Sequence, residues 1–352
     1  MFSLMPAMPI CPPPARWGPP EVLAVGAHGW LLLALMGSGL MLSGGAALFL
    51  AATRHLLAHD MAYLGVAASQ VCGASDGRIV HFMFHDRAAF GGAVVATGLL
   101  YIWLAQGPLR HGQAWAWWVL ALSGLLGFSS FFAYLGYGYF DAWHGVVTAL
   151  LLPVFGLGLA RSYAHLRGPR HLRALLRPSF AGAWASRAGL GHASLLLMAL
   201  GMVAAGLTIV VVGMTRVFVP QDLRYMNLTF KQLTVLSPHL VPLIAHDRAG
   251  FGGALASCGV AMFFCVWCGA PSRRLWQVLA LAGGVGFATA IGVHPLIGYV
   301  DFGHLAPAFA GLGLFGAGLW LSYRVMHPAA ELGAAGTPTR VTMVGQLSEF
   351  SP

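Results

Sequence analysis

Charge is what this sequence has least of. Charged residues make up 8% of its 352 positions, while hydrophobic residues reach 58% and mean hydropathy is +0.75. An ordinary soluble domain carries about a quarter charged residues, so that class is excluded. Glutamate is scarce too, with only Glu21, Glu331 and Glu349, all in terminal segments. The proline-rich start, Met1 to Pro20, lacks the basic opening and apolar core of a cleavable signal, and reads as a disordered lead-in. The five cysteines offer no disulfide framework. Cys72 has no evident partner, and Cys265 and Cys268 form a C-x-x-C inside an apolar run, where small apolar filling is the simplest role.

What is present is a series of apolar runs of the roughly 20 residues needed to span a bilayer. Eight are predicted, over 28–52, 82–105, 114–137, 142–162, 190–214, 247–269, 275–297 and 302–323. The connection 161–187 holds Arg161, Arg167, Arg170, Arg173, Arg177 and Arg187 and no acid. By the positive-inside rule it faces the cytoplasm, which places both termini inside. The net charge of +9 is mostly this belt, a topology signal that touches anionic lipid and not a nucleic-acid patch. All seven aspartates then fall at the extracytoplasmic face. The expected setting is a bacterial inner membrane.

The sequence is written twice. His85-Asp86-Arg87-Ala88-Ala89-Phe90-Gly91-Gly92 returns 161 positions later as His246-Asp247-Arg248-Ala249-Gly250-Phe251-Gly252-Gly253. Thr53-Arg54, Asp60 and Tyr63 are answered by Thr215-Arg216, Asp222 and Tyr225, and Asp141-Ala142-Trp143-His144 by Asp301-Phe302-Gly303-His304. Four spans per copy give both copies one orientation and a pseudo-two-fold axis along the membrane normal. The expected organisation is all-α: a disordered lead over 1–27, four-helix bundles over 28–163 and 190–324, a basic cytoplasmic linker over 164–189 and a tail over 325–352. The long connections 54–81 and 216–245 are placed to cap a site.

In each copy an arginine closes the first span, an aspartate follows in the loop, H-D-R opens the second span and D-x-x-H opens the fourth. Polar groups beside hydrocarbon are costly and point to function. In D-x-x-H the side chains share a helix face. Asp141 and Asp301, with Asp86 and Asp247, are therefore candidates to orient the histidines as outer carboxylates orient ligating imidazoles. The plainer reading is that Asp86 and Asp141 cap helix starts. Phe90-Gly91-Gly92 reads as a close-packing seam. His294 is a weaker candidate, and His81 and His239 read as ordinary loop histidines.

Histidines on the even-numbered spans of two four-span halves resemble the heme A synthase family. Gly213-Met214-Thr215-Arg216, His85 with Arg87, and His304-Leu305-Ala306 are similar to short motifs of that family. The resemblance implies heme held by His85 with His144 and by His246 with His304, with Arg54, Arg87, Arg216 and Arg248 on the propionates. It also implies catalytic roles for Asp60 and Asp222, the nearest substitutes for the family's outer-loop glutamate. The expected function is a heme-binding oxidoreductase or electron carrier, with a membrane redox partner or quinone. The alternatives are a metal-dependent enzyme with a divalent transition metal on the same four histidines, a transporter, and an accessory subunit of a membrane complex.

Overall fold

The computed structural model describes residues 28–54, 56–133 and 138–327. The expected lead over 1–27 and most of the expected tail lie outside them. Twelve α-helices and no strand occur among the described residues: α1 (Gly29–Thr53), α2 (Ala58–Leu64), α3 (Ala68–Gly73), α4 (Arg78–Leu104), α5 (Ala114–Ala133), α6 (Ala142–Tyr163), α7 (Arg187–Thr215), α8 (Pro220–Met226), α9 (Phe230–Leu236), α10 (Leu240–Cys268), α11 (Arg273–Ile297) and α12 (Phe302–Met326). Seven helices (α1, α4, α6, α7, α10, α11 and α12) are long and apolar enough to cross a membrane, and α5 has a shorter apolar stretch over Ala114–Ser130.

Two boundaries differ from expectation in a way that matters. Helices α4 and α10 begin at Arg78 and Leu240, so both H-D-R motifs sit about two turns inside a helix and not at its mouth. Ile79, Val80, Phe82, Met83 and Phe84 before the first motif are buried, as are Leu240, Val241, Leu243, Ile244 and Ala245 before the second. Apolar residues that pack on the core extend the helix upstream of the polar triplet. Asp86 is therefore not a helix cap.

The helices of the two copies interleave. Helices α4 and α10 pack on each other at the centre, flanked by α1 and α7 respectively, but α11 packs on α4 and α5 packs on α10. The expected pair of separate bundles, one per copy, is corrected: the third long helix of each copy lies against the other copy. Small residues fix the contacts. A Cβ on Gly91 would meet the Gly44 carbonyl at 2.8 Å, and one on Gly252 would meet the Gly206 carbonyl at 2.6 Å. These are the close seams that draw α1 onto α4 and α7 onto α10. The crossed contacts have their own pins, since Gly92 faces Thr289 on α11 and Gly253 faces Ser130 on α5, both too closely for any side chain.

Both α1–α4 and α7–α10 connections fold into paired short helices over one end of the assembly. They bond to each other there: Ser75 Oγ donates to the Met226 carbonyl, Ser237 Oγ donates to the Leu64 carbonyl at 2.8 Å and Arg78 Nη1 to the Tyr225 carbonyl at 3.3 Å. Beneath them Leu64, Val71, Phe82, Phe218, Met226, Leu233 and Leu243 form one apolar layer. The long connections 54–81 and 216–245 thus cover one end of the assembly.

Gly92→Leu is expected to push α11 off α4 and to lower stability by about 1–3 kcal/mol or more, as overpacking does. Gly45→Leu, which meets nothing within 4 Å, is expected to leave it unchanged. Thermal unfolding of the two purified variants in detergent compares them; equal melting temperatures would show that the α4–α11 contact is not as tight as described.

Candidate metal centre

Three consecutive helical residues point about 100° apart. The H-D-R triplet therefore sends its side chains to three neighbours. On α4, Arg87 reaches α10, where its Nε donates to Asp247 Oδ2 at 3.0 Å, while its Nη2 donates to Asp60 Oδ2 on α2 at 2.8 Å. On α10, Arg248 returns the contact: its Nε donates to Asp86 Oδ2 at 3.3 Å and its Nη2 pairs with Asp222 Oδ2 on α8 at 2.7 Å. Each copy thus gives its aspartate to the other copy's arginine. Arg248 Nη1 also donates to the Val217 carbonyl at 2.7 Å, and Val217 holds a positive φ of 62°. That conformation is rare for a β-branched residue and turns the carbonyl to the guanidinium.

Two tyrosines complete the belt. Tyr139 Oη donates to Asp60 Oδ1 at 2.5 Å, and Tyr299 Oη to Asp222 Oδ1 at 2.7 Å. Burial, followed by the facing carboxylate, pushes both phenols well above their ordinary value, so both stay protonated donors. Asp60 and Asp222 are fully buried and bonded on both oxygens. They hold the belt together; the structure does not place them as open catalytic groups.

The histidines gather in two groups. His85 Nε2 lies 3.0 Å from His294 Nε2, and His85, His294 and His304 each offer a ligating atom within 4.8 Å of the others. Asp86 Oδ1 lies 3.1 Å from His85 Nδ1, and Tyr299 Oη lies 3.3 Å from His304 Nδ1. Phe82 stacks on His85, and the Arg248 guanidinium lies over the Phe82 ring at 4.9 Å. In the second group His144 and His246 meet edge to face at 5.6 Å, and His246 Nε2 lies 3.7 Å from Asp141 Oδ2. His59 Nε2 sits between Asp60 Oδ1 at 3.5 Å and Asp141 Oδ1 at 3.3 Å.

These groupings correct the ligand pairs expected from the resemblance. The ring contacts seen join His85 to His294 and His304, and His144 to His246, a grouping other than the pairs His85–His144 and His246–His304 that the resemblance implies. The cause is the interleaving, which turns the histidine of each central helix toward the other copy. Asp141 and Asp301 are helix caps, accepting from the backbone N–H of His144 at 2.9 Å and of His304 at 2.8 Å. The plainer reading of D-x-x-H is thus the one realised, although Asp141 also faces His59 and His246. Asp86 does contact its histidine, while Asp247 stands 3.9 Å from His246 and serves Arg87.

Arg54 and Arg216 are exposed at the ends of α1 and α7 and do not join the belt. Arg87 and Arg248 are engaged by protein carboxylates, which removes the expected propionate role as the reason for their burial. Sequence reasoning missed His59 altogether and undervalued His294. His59 has Gln221 as its counterpart beside Asp222, and no histidine answers His294 in the first copy, where the matched stretch Tyr134 to Tyr137 lies outside the described residues. Their signal was asymmetry against an otherwise repeated pattern. No family model, no curated protein and no solved structure matches the chain.

Removing one member of a buried ion-paired network strands the others and destabilises by about 3–5 kcal/mol. Arg248→Met, which strands Asp86 and Asp222, is expected to do so, and adding Asp222→Asn is expected to recover part of the loss. Denaturation midpoints of the single and double variants measure this; a single variant as stable as the parent would show that the belt does not hold α4 to α10.

Proposed function

We propose that this chain is an eight-span membrane protein of two duplicated, interleaved halves, and that it is a metal-dependent enzyme whose divalent transition metal is held by His85, His294 and His304 near the extracytoplasmic face. The single observation that carries the reading is the 3.0 Å approach of two buried imidazole nitrogens with a third histidine beside them. Metal–nitrogen bonds of about 2.0–2.1 Å separate adjacent ligands by about 3 Å. Axial imidazoles on opposite faces of a heme iron would stand about 4 Å apart by the same bond lengths, with a porphyrin between them. The His85–His294 contact fits ligands side by side on one ion.

The surroundings support the same reading. His85 and His294 are 3% and 4% exposed, which shields the site from bulk water. Asp86 beside His85 Nδ1 and the Tyr299 hydroxyl beside His304 Nδ1 are the outer contacts that fix ring orientation in metal sites. Three imidazoles without thiolate suit zinc, copper, iron or nickel. When bound, such an ion with three protein ligands keeps an open position and supplies Lewis acidity or an activated water. The residues of this chain orient the ligands and exclude water: the Tyr299 hydroxyl donates to Asp222 and so can accept from His304 Nδ1.

Elemental analysis of the purified protein is expected to find one transition-metal ion per chain, reduced to less than a tenth in His294→Ala and unchanged in His239→Ala, whose ring stacks on Tyr63 away from the cluster. A metal content that is negligible in the parent, or equal in parent and His294→Ala, would overturn the assignment.

A further inference from the structure

The repeat is least faithful around Asp60. Asp60 and Tyr63 are answered by Asp222 and Tyr225, so His59 stands where the second copy has Gln221, and Ala62 where it has Arg224. In the second copy that arginine reaches the aspartate capping the last long helix, with Arg224 Nη2 3.7 Å from Asp301 Oδ2. The matching cap in the first copy is Asp141, and Ala62 offers it no charge. Among the described residues Asp141 is paired with histidines alone, His59 Nε2 at 3.3 Å and His246 Nε2 at 3.7 Å. Where one copy supplies a guanidinium, the other sets an imidazole between two carboxylates.

The geometry of that imidazole is specific. His59 Nε2 is shut off from solvent and lies within 3.5 Å of both Asp141 Oδ1 and Asp60 Oδ1, yet it hydrogen-bonds to neither. A buried polar atom left in that state is costly. The three atoms all lie within 4.8 Å of one another. Metal bonds of about 2.0–2.2 Å to nitrogen and oxygen hold tetrahedral ligands about 3.3–3.6 Å apart, which is the spacing from His59 to each carboxylate. An ionised carboxylate oxygen has two acceptor sites. Asp141 Oδ1 gives one to the His144 N–H and Asp60 Oδ1 gives one to the Tyr139 hydroxyl, so each oxygen keeps another. An ion would lie among these atoms and not in open space, so buried ligand atoms are what such a site requires. Access is along the ligands' edges: the His59 and Asp141 side chains are 24% and 15% exposed. Asp141 also lines an open cleft of about 290 Å³ together with Leu57, Trp143 and His246.

We infer that His59, Asp141 and Asp60 form a second divalent-cation site, which takes Mn²⁺ or an ion of like preference. Carboxylates suit Mn²⁺, and the single imidazole counts against Mg²⁺ and Ca²⁺, which favour oxygen ligands throughout. Mn²⁺ also stands lowest in the affinity order of the divalent first-row ions. It therefore exchanges under conditions in which the ion of the tris-histidine cluster is retained. The inference does not depend on that cluster. Asp141 Oδ2, which faces His246, ties the second site to the second histidine group instead.

The test uses the full chain in detergent, carrying whatever ion it retains on purification. It is titrated with manganese chloride, and free Mn²⁺ is followed by its solution EPR signal. One further saturable Mn²⁺ per chain is expected, not displaced by an equal concentration of Ca²⁺. His59→Gln, which matches Gln221 of the second copy, and Asp141→Asn, which keeps a helix cap, are each expected to weaken Mn²⁺ binding about tenfold or more. His294→Ala is expected to lose the retained ion and keep Mn²⁺ binding, and His59→Gln to do the reverse, so the two assignments fail separately. No saturable Mn²⁺ binding, as an imidazolium at His59 in place of the ion would give, would overturn the inference. So would displacement by equal Ca²⁺, or binding as tight in both variants as in the parent.

Discussion

Two arginines buried between four aspartates set the geometry of this molecule. Arg87 on α4 lies between Asp247 and Asp60, and Arg248 on α10 between Asp86 and Asp222. Such pairs add little net stability over well-packed apolar residues, because stripping charges of water is costly. What they add is register. A shift of α4 against α10 by one turn, about 5.4 Å, would break both crossed contacts at once and strand charges in an apolar interior. The depth at which His85 and His246 sit is therefore specified by charge, while glycine seams specify how near the helices come.

From that register the division of the two sites follows. Each central helix turns its histidine away from the belt, toward a helix of the other copy, so each site is made from both copies. The sites are not equivalent, because the histidines outside the repeat differ. The His85 group gains His294 and becomes a compact set of imidazoles under aromatic cover. The His246 group gains His59 and remains beside carboxylates and an open cleft. The two repeated stretches give similar frames, and the unmatched His59 and His294 give them different surroundings.

Much of this was legible in the sequence. The apolar runs located most long helices, the repeat identified the belt residues, and the long loops marked the capped end. The helix starts were misplaced because hydropathy changes gradually before H-D-R: His81 and Arg78 suggest an interface, while Phe82, Met83 and Phe84 carry the helix through it. The crossed pairing was illegible for a different reason. A tandem repeat is equally compatible with separate bundles and with interleaved ones, and the choice rests on non-local fits such as Gly92 against Thr289 and Gly253 against Ser130. Reading the repeat as the signal also hid His59 and His294, which carry information because they break it. Asp141 and Asp301 show the limit of local spacing, since D-x-x-H fits both a helix cap and a histidine support and only the observed backbone contacts separate them.

The charge of the belt bears on what the two histidine groups can hold. Two guanidinium cations face four aspartates in a region of low dielectric, so carboxylates outnumber cations there. Isolated charge of that kind is expensive. A divalent ion among His85, His294 and His304 would bring positive charge next to Asp86. Under the metal assignment proposed above, the carboxylates that fix the helices would also supply a field that favours a cation at the histidine cluster.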